Sequence, residues 1–426
     1  MNPAFRKFIP VFFLIAFLIW FDVYLYSGIT AAIHGTSVFI SDLFLGLYSL
    51  IQILTFIFML LFLLRSRKPG GRSEALTRIY ILVFMLVFIP ALFFGIFLLG
   101  EDIYRILRMM LTALFHAFGQ HSTESVWMLE PRSTIWSRAG LSASMLLWVS
   151  LLYAITRGKY RYKVHPVNVE FADLPEAFDG FTITQLSDIH AGSFDNKEEV
   201  RRAVELVNKQ ESDVIFFTGD LVNNSASEME PWVEVFEATR AVHGKFSILG
   251  NHDYGDYRAW PSGKHKEDNL LALFHMHERI GFNLLRNENL KIEKDGESIE
   301  LLGIENWGSG RFAKYGDLNK TLEGTKDGAF KILLSHDPSH WEEQVLDAAP
   351  HIHLTLSGHT HGMQFGFEFM GIRFSPIQFR YKRWAGLYEQ DNRFLYVNRG
   401  FGFLGFPGRL GIWPEITVIT LRKKKG

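Results

Sequence analysis

Four long apolar runs near the amino terminus constrain this chain more than any other feature. Residues 1–64 carry only four charged side chains, Arg6, Lys7, Asp22 and Asp42. The runs at 9–28 and 38–64 reach the roughly 20 residues needed to cross a bilayer. The stretch 79–99 is dominated by Ile, Leu, Val and Phe, and 139–156 is apolar with small residues and Trp148. Apolar runs in soluble cores seldom exceed about 14 residues, so the four runs predict four membrane-spanning helices. The first run is long and no small-residue cleavage site precedes the second, which favours a retained anchor over a removed signal peptide.

The formal net charge of −1 conceals two different parts. Residues 1–163 hold 15 Lys/Arg against 7 Asp/Glu, leaving the remainder at −9. Basic residues gather at Arg6 and Lys7, at Arg65, Arg67, Lys68, Arg72 and Arg78, and after the fourth run at Arg157, Lys159, Arg161 and Lys163. Loop 29–37 has no Lys or Arg, and the four in 100–138 are matched by four acids. The positive-inside tendency therefore predicts that both termini and the carboxyl-terminal domain face the cytoplasm. Segment 103–118 reads as an amphipathic surface helix, with Arg105 and Arg108 toward headgroups. Asp22 and Asp42 lie near span ends and read as interfacial structural residues.

From residue 164 to 426 short β-rich runs alternate with amphipathic helical segments, which predicts one α/β domain. Strands are expected at 182–186, 214–217, 246–249, 299–302, 331–334, 352–356, 394–397 and 416–421. Helices are expected at 196–210, 232–240, 269–280 and 341–347, the first with Asn196 as its cap. The absence of cysteine excludes disulfides, Cys-ligated zinc, iron–sulfur clusters and a thiol nucleophile. Any metal must be held by His, Asn and carboxylates.

Those residue types recur where predicted strands end. Asp188 and His190 follow TITQLS, Asp220 follows VIFFTG, and Asn251, His252 and Asp253 follow FSILG. His336 follows KILLS, and His359 and His361 follow HLTLSG. Strand ends in an α/β sheet converge on one edge, so five such ends can pool their side chains. The sulfur-free set suits two divalent ions such as Mn²⁺, Fe²⁺ or Zn²⁺. His351 and His353 read as structural, His275 and His277 as opposite faces of one helix, and His243, His265 and His340 as solvated.

The ordered set D-x-H, G-D, G-N-H-D, His before a Pro-containing turn and G-H-T-H resembles the calcineurin-like metallophosphoesterases. The likeness extends over residues 165–426 and is strongest to the bacterial membrane-associated branch. TQLSDIH, FFTGDLV, LGNHDY, LSGHTHGMQ, the run from Tyr381 through Ala385, Gly386, Leu387 and Tyr388, and NRG followed by Arg409 carry it. The resemblance implies two packed mixed sheets with helices outside. It implies one ion on Asp188, His190 and His361, a second on Asn251, His336 and His359, and Asp220 bridging both. His252 would donate a proton to, or stabilise, the leaving oxygen, with Asp253 either orienting it or serving as a turn residue. Two ions about 3.5–4 Å apart generate a nucleophilic hydroxide and stabilise in-line attack on phosphorus.

The expected activity is thus metal-dependent hydrolysis of a phosphodiester or pyrophosphate, with a lipid-linked or envelope-precursor substrate favoured. One class in this superfamily cleaves UDP-2,3-diacylglucosamine, a candidate by resemblance alone. A soluble nucleotide substrate and a non-catalytic metal-containing sensor or scaffold stay open at this point. The acidic domain argues against nucleic acid as a partner, and the membrane itself is the expected one. Phe365, Phe367 and Phe369 alternate as in a buried strand face. The competing reading is a lipid-touching flap with Arg373, Arg380, Lys382 and Arg383 meeting headgroups, extended by 400–413 and the basic residues 422–425.

Overall fold

The computed structural model describes residues 3–66, 74–118, 129–310 and 312–424. Arg67, Lys68 and Arg72 of the basic loop, and Lys425, lie outside these residues. The chain divides into two compact units, residues 1–152 and 153–426.

The first unit is helical: α1 (Pro3–Ile33), α2 (Val38–Ser66), α3 (Glu74–Ala117) and most of α4 (Thr134–Thr156). Each contains a segment long and apolar enough to cross a bilayer, Phe12–Ile33, Val38–Leu61, Ile79–His116 and Thr134–Tyr160 in turn, the last running past α4. Phe21, Leu25 and Ile29 of α1 pack with Phe94 and Leu98 of α3. Small residues permit that approach: a Cβ at Gly95 would sit 2.8 Å from the Phe21 ring. Asp22 accepts a 2.5 Å hydrogen bond from Tyr48, joining α1 to α2 in a structural role.

Segment 103–118 is helical but continues the third span without a break, which corrects the separate surface helix expected there. At 1.5 Å per residue α3 extends about 66 Å, roughly twice a bilayer's hydrocarbon core. Gly100 alone does not stop the helix. Arg132 instead clamps the following turn through Glu101 (3.3 Å) and Asp102 (2.9 Å), and Arg105 also pairs with Asp102 (2.7 Å).

The second unit is built on two six-stranded mixed sheets. Its elements are β1 (Lys163–Phe171), β2 (Thr182–Leu186), α5 (Lys197–Asn208), β3 (Val214–Phe217), α6 (Val233–Glu237), β4 (Lys245–Ser247), α7 (Gly263–Arg279) and β5 (Asn283–Leu284). They continue with β6 (Glu288–Lys294), β7 (Glu297–Gly303), α8 (Leu318–Leu322), β8 (Lys331–Leu334) and β9 (Leu354–Ser357). Last come β10 (Phe367–Phe369), β11 (Ile372–Phe374), β12 (Gly386–Gln390), β13 (Arg393–Val397) and β14 (Glu415–Lys423). One sheet runs β1-β14-β2-β3-β4-β5 and the other β12-β13-β9-β8-β7-β6, while β10 and β11 form a separate hairpin.

Alternation along the strands makes the layers. Phe216 faces the other sheet and shares a core with Ile332, Leu334 and Leu356, whereas Ile215 and Phe217 face α5, α6 and α7. Asn196 caps α5, accepting from the backbone of Glu198 (3.1 Å) and Glu199 (3.2 Å). On the outer face of the second sheet Leu333 and Val397 pack with Trp341 and Val345 of a π-helical turn, where a regular helix is expected.

All eight expected strands form, and six further ones join them. Strand β1 carries Pro166, which lacks a ladder donor, and β1 accordingly lies at a sheet edge. Strands β2, β3 and β4 run parallel, as do β8 and β9, so the loops after them leave from carboxyl-terminal edges.

Candidate metal centre

Seven side chains meet beyond those edges. Asp188 and His190 come from the loop after β2, Asp220 from the loop after β3, and Asn251 from the loop after β4. His336 follows β8, and His359 and His361 follow β9. Ligand-type atoms of Asp188, His190 and His361 lie within 4.8 Å of one another, as do those of Asp220, His336 and His359. Asn251 joins the second group, its Oδ1 lying 2.8 Å from His359 Nδ1. One oxygen, Asp220 Oδ2, faces both groups, at 3.5 Å from His190 Nε2 and 3.2 Å from His336 Nε2.

The backbone is bent to achieve this. Asp188, His190, Asp220, His359 and His361 all have positive φ, between 48° and 69°, a region that non-glycine residues rarely occupy. Such conformations cluster where function maintains them. The neighbouring loops also pack too closely for side chains, since a Cβ on Gly250 would collide with the Asp220 carboxylate.

The donor set fits divalent ions. His190 Nδ1 is held by Asn223 Oδ1 at 3.1 Å and His336 Nδ1 by the Thr218 carbonyl at 2.7 Å. Arg409, itself fully buried, donates to His361 Nδ1 at 3.1 Å. Among the described residues the buried Nε2 atoms of His190 and His336 face only the Asp220 carboxylate, at 3.5 and 3.2 Å, and make no further hydrogen bond. Unpaired buried nitrogens are costly, and a cation is the partner that several converging ones share. Burial drives the histidines toward the neutral, ligating form, to about 3 for His190, about 4 for His359 and well below the usual range for His361. Burial also raises Asp188 to about 6. At His336 burial is outweighed by Asp220 and Asp188, which lift it to about 10. The two carboxylates therefore attract positive charge into the centre.

Asp253 is a turn residue rather than the partner that orients His252. Its carboxylate accepts from the backbone N–H groups of Gly250 (2.8 Å), Asp220 (2.9 Å), Leu221 (2.8 Å) and Val222 (3.3 Å), so it pins the two ligand loops together. Burial and the Asp220 charge raise its pKa to about 7. His252 is oriented instead by the Asn223 carbonyl, 2.8 Å from its Nδ1. The His252 backbone N–H also donates to Asp220 Oδ1 at 2.8 Å.

Asn223 thus holds two histidines at once, through its side chain and its carbonyl, and it lies one residue beyond the FFTGDLV motif that carries the sequence reading. Its neighbours in FFTGDLVNN were the available signal. Tyr381, which donates to or accepts from His359 Nε2 at 2.9 Å, Tyr257, which accepts from Asn251 at 2.8 Å, and buried Asp337 beside His359 were also unread as site residues. His340 is fully buried and bonded to Ser335 (2.8 Å) and Gln344 (3.0 Å), which corrects its reading as solvated. His277 is buried and His275 exposed, on opposite faces of α7. Asn223→Ala is expected to weaken metal retention and turnover about 10- to 100-fold while the fold persists. Metal titration beside circular dichroism checks this, and unchanged affinity would show that His190 needs no such support.

Comparison with known proteins identifies the family. Residues 6–159 match the family model described as "Probable Calcineurin-like phosphoesterase, transmembrane domain", and residues 181–363 match "Calcineurin-like phosphoesterase". The uncharacterized metallophosphoesterase YkuE of Bacillus subtilis (strain 168) is 32% identical over 254 residues, covering 58% of this chain and 82% of that protein. A transmembrane protein with metallophosphoesterase domain from Danio rerio is 29% identical over 296 residues, covering 67% of this chain and 63% of that one. Its Bos taurus counterpart is 31% identical over 272 residues, 61% of this chain and 57% of that protein. The chain spans less than two thirds of both vertebrate relatives. It belongs to the calcineurin-like metallophosphoesterase family and is an integral membrane, metal-dependent phosphoester hydrolase.

Proposed function

We propose that this protein hydrolyses a phosphodiester or pyrophosphate bond in a lipid-linked or envelope-precursor substrate, at a bacterial inner membrane and on its cytoplasmic side. The observation that carries the reading is the shortness of the tether. Only residues 157–162 separate α4, whose apolar sequence is long enough to span a bilayer, from β1 of the domain that holds the metal centre. A substrate confined to the same bilayer meets that centre at high effective concentration.

Two divalent ions, when bound by Asp188, His190, Asp220, Asn251, His336, His359 and His361, would supply an activated water and Lewis-acid stabilisation of phosphoryl charge. Reloading the metal-free protein with Mn²⁺, Fe²⁺ or Zn²⁺ in turn identifies the ions. His252, with Nδ1 fixed, would present Nε2 to the leaving oxygen, and Asp253 would hold the loops that carry Asp220 and Asn251.

The test is turnover by full-length protein in vesicles, stripped of metal and reloaded with one ion at a time. A vesicle-borne lipid pyrophosphate is expected to exceed a water-soluble dinucleotide pyrophosphate in kcat/KM by at least about tenfold. Equal or reversed rates would sink the lipid-linked reading while leaving the phosphoesterase intact. Reporter fusions after Lys163 test the orientation, and an extracytoplasmic signal would overturn it.

A further inference from the structure

The alternation in β10 is the reverse of what a water-soluble hairpin shows. Phe367 and Phe369 point outward, 50% and 69% exposed, so the buried strand face expected for them does not form. Between them Glu368 turns inward to Arg399, a nearly buried guanidinium that also pairs with the buried Glu415 at 2.6 Å. The charge faces protein, and the aromatic rings face out.

The tip reinforces this inversion. A two-residue turn joins β10 to β11, with positive φ at both Met370 (49°) and Gly371 (81°). Water-facing turns of this kind favour Asn or Asp at the first position, where a bulky apolar side chain is strained. Met370 is nonetheless 86% exposed there, beside exposed Ile372. Arg380 and Lys382 are exposed a few residues beyond the hairpin.

The hairpin is also fastened close to where the chain leaves its last apolar helix. Ala154, in the final turns of α4, accepts from the Arg409 backbone N–H at 3.2 Å. Leu410 next to it donates to the Gln364 carbonyl at 2.9 Å and accepts from Gly366 at 3.0 Å, at the root of β10. The buried Gln364 side chain bonds the backbone of Leu404, Phe406 and Gly408. Few hydrogen bonds therefore separate the end of α4 from the hairpin.

We infer that the β10–β11 hairpin inserts its tip, Phe369, Met370 and Ile372, into the surface of a phospholipid bilayer, with Arg380 and Lys382 at headgroup level. The apolar tip and flanking cations match the composition of elements that rest at the membrane interface. His361 lies three residues before Gln364, so docking would set the metal centre against the lipid surface. The inference concerns the surface alone and does not require the proposed substrate.

The chain's lack of cysteine permits a clean test. Phe369→Cys and Met370→Cys, each labelled with nitrobenzoxadiazole, are introduced singly into full-length protein in phosphatidylcholine vesicles, with and without lipids brominated in their acyl chains. Val242→Cys is the control, 82% exposed and placed before β4, at the sheet edge opposite the metal centre. Hydrolysis of bis(p-nitrophenyl) phosphate by each labelled protein verifies folding. Emission from the tip labels is expected to be blue-shifted and quenched about twofold or more by bromolipid, with little quenching at Val242→Cys. Equally weak quenching at all three positions would overturn the inference. So would efficient disulfide cross-linking between unlabelled Phe369→Cys copies without quenching, because a second protein molecule would then cover the tip. Either failure leaves the phosphoesterase reading untouched, since the readout needs no substrate.

Discussion

Asp220→Asn is expected to lower kcat/KM for bis(p-nitrophenyl) phosphate by about 10³-fold, a loss of roughly 4 kcal/mol in transition-state stabilisation. The substitution is nearly isosteric, so its effect isolates charge and lone pairs from packing. Asp220 Oδ2 faces His190 Nε2 at 3.5 Å and His336 Nε2 at 3.2 Å, and Oδ1 accepts the His252 backbone N–H at 2.8 Å. An amide can keep the second contact through its oxygen. It then turns two N–H donors toward the place where cations are to bind, and removes the negative charge that faces both groups. Metal content should therefore fall together with turnover, with circular dichroism unchanged. Measured by elemental analysis, retention of two ions per chain with more than a tenth of the wild-type rate would show that Asp220 does not bridge.

The site was legible in the sequence to the extent that it depends on strand ends. Parallel strands deliver their following loops to one edge, so Asp188, Asp220, Asn251, His336 and His359 could be grouped from their positions after apolar runs. What failed were inferences from adjacency. Asp253 follows His252 directly, yet the tight turn after β4 directs its carboxylate to four backbone donors on two loops. The residue that orients His252 is Asn223, 29 positions away, and it acts through a carbonyl that no residue-type pattern reveals.

Periodicity failed similarly at the hairpin. A two-residue period says that Phe367 and Phe369 share a face, and nothing in it says whether that face meets protein. The deciding contact is Glu368 with Arg399, brought from 31 residues away by the fold. The length of α3 was hidden for another reason. Charged residues at 101 and 102 mark the end of an apolar run, but a helix continues through them when partners such as Arg132 satisfy their charge.

His252→Ala should cause a loss that depends on the leaving group, and this dependence separates proton donation from structural damage. General acid assistance contributes about 10²- to 10⁴-fold when the departing oxygen needs a proton. An alkyl or lipid alkoxide is such a group, whereas p-nitrophenolate leaves readily as an anion. The loss is therefore expected near 10³-fold for an alkyl or glyceryl phosphodiester and about tenfold for bis(p-nitrophenyl) phosphate. The geometry supports this assignment: the Asn223 carbonyl, 2.8 Å from Nδ1, fixes the tautomer that carries its proton there, so Nε2 must receive and return the proton that moves. Alanine retains the backbone N–H that donates to Asp220, so the bridging carboxylate keeps that contact and metal content should be unchanged. A series of leaving groups of graded acidity provides the measurement. A steeper dependence in the variant than in the wild type is the expected result, and parallel lines of equal slope would place His252 outside the proton transfer and leave it as a charge or packing element beside Tyr257.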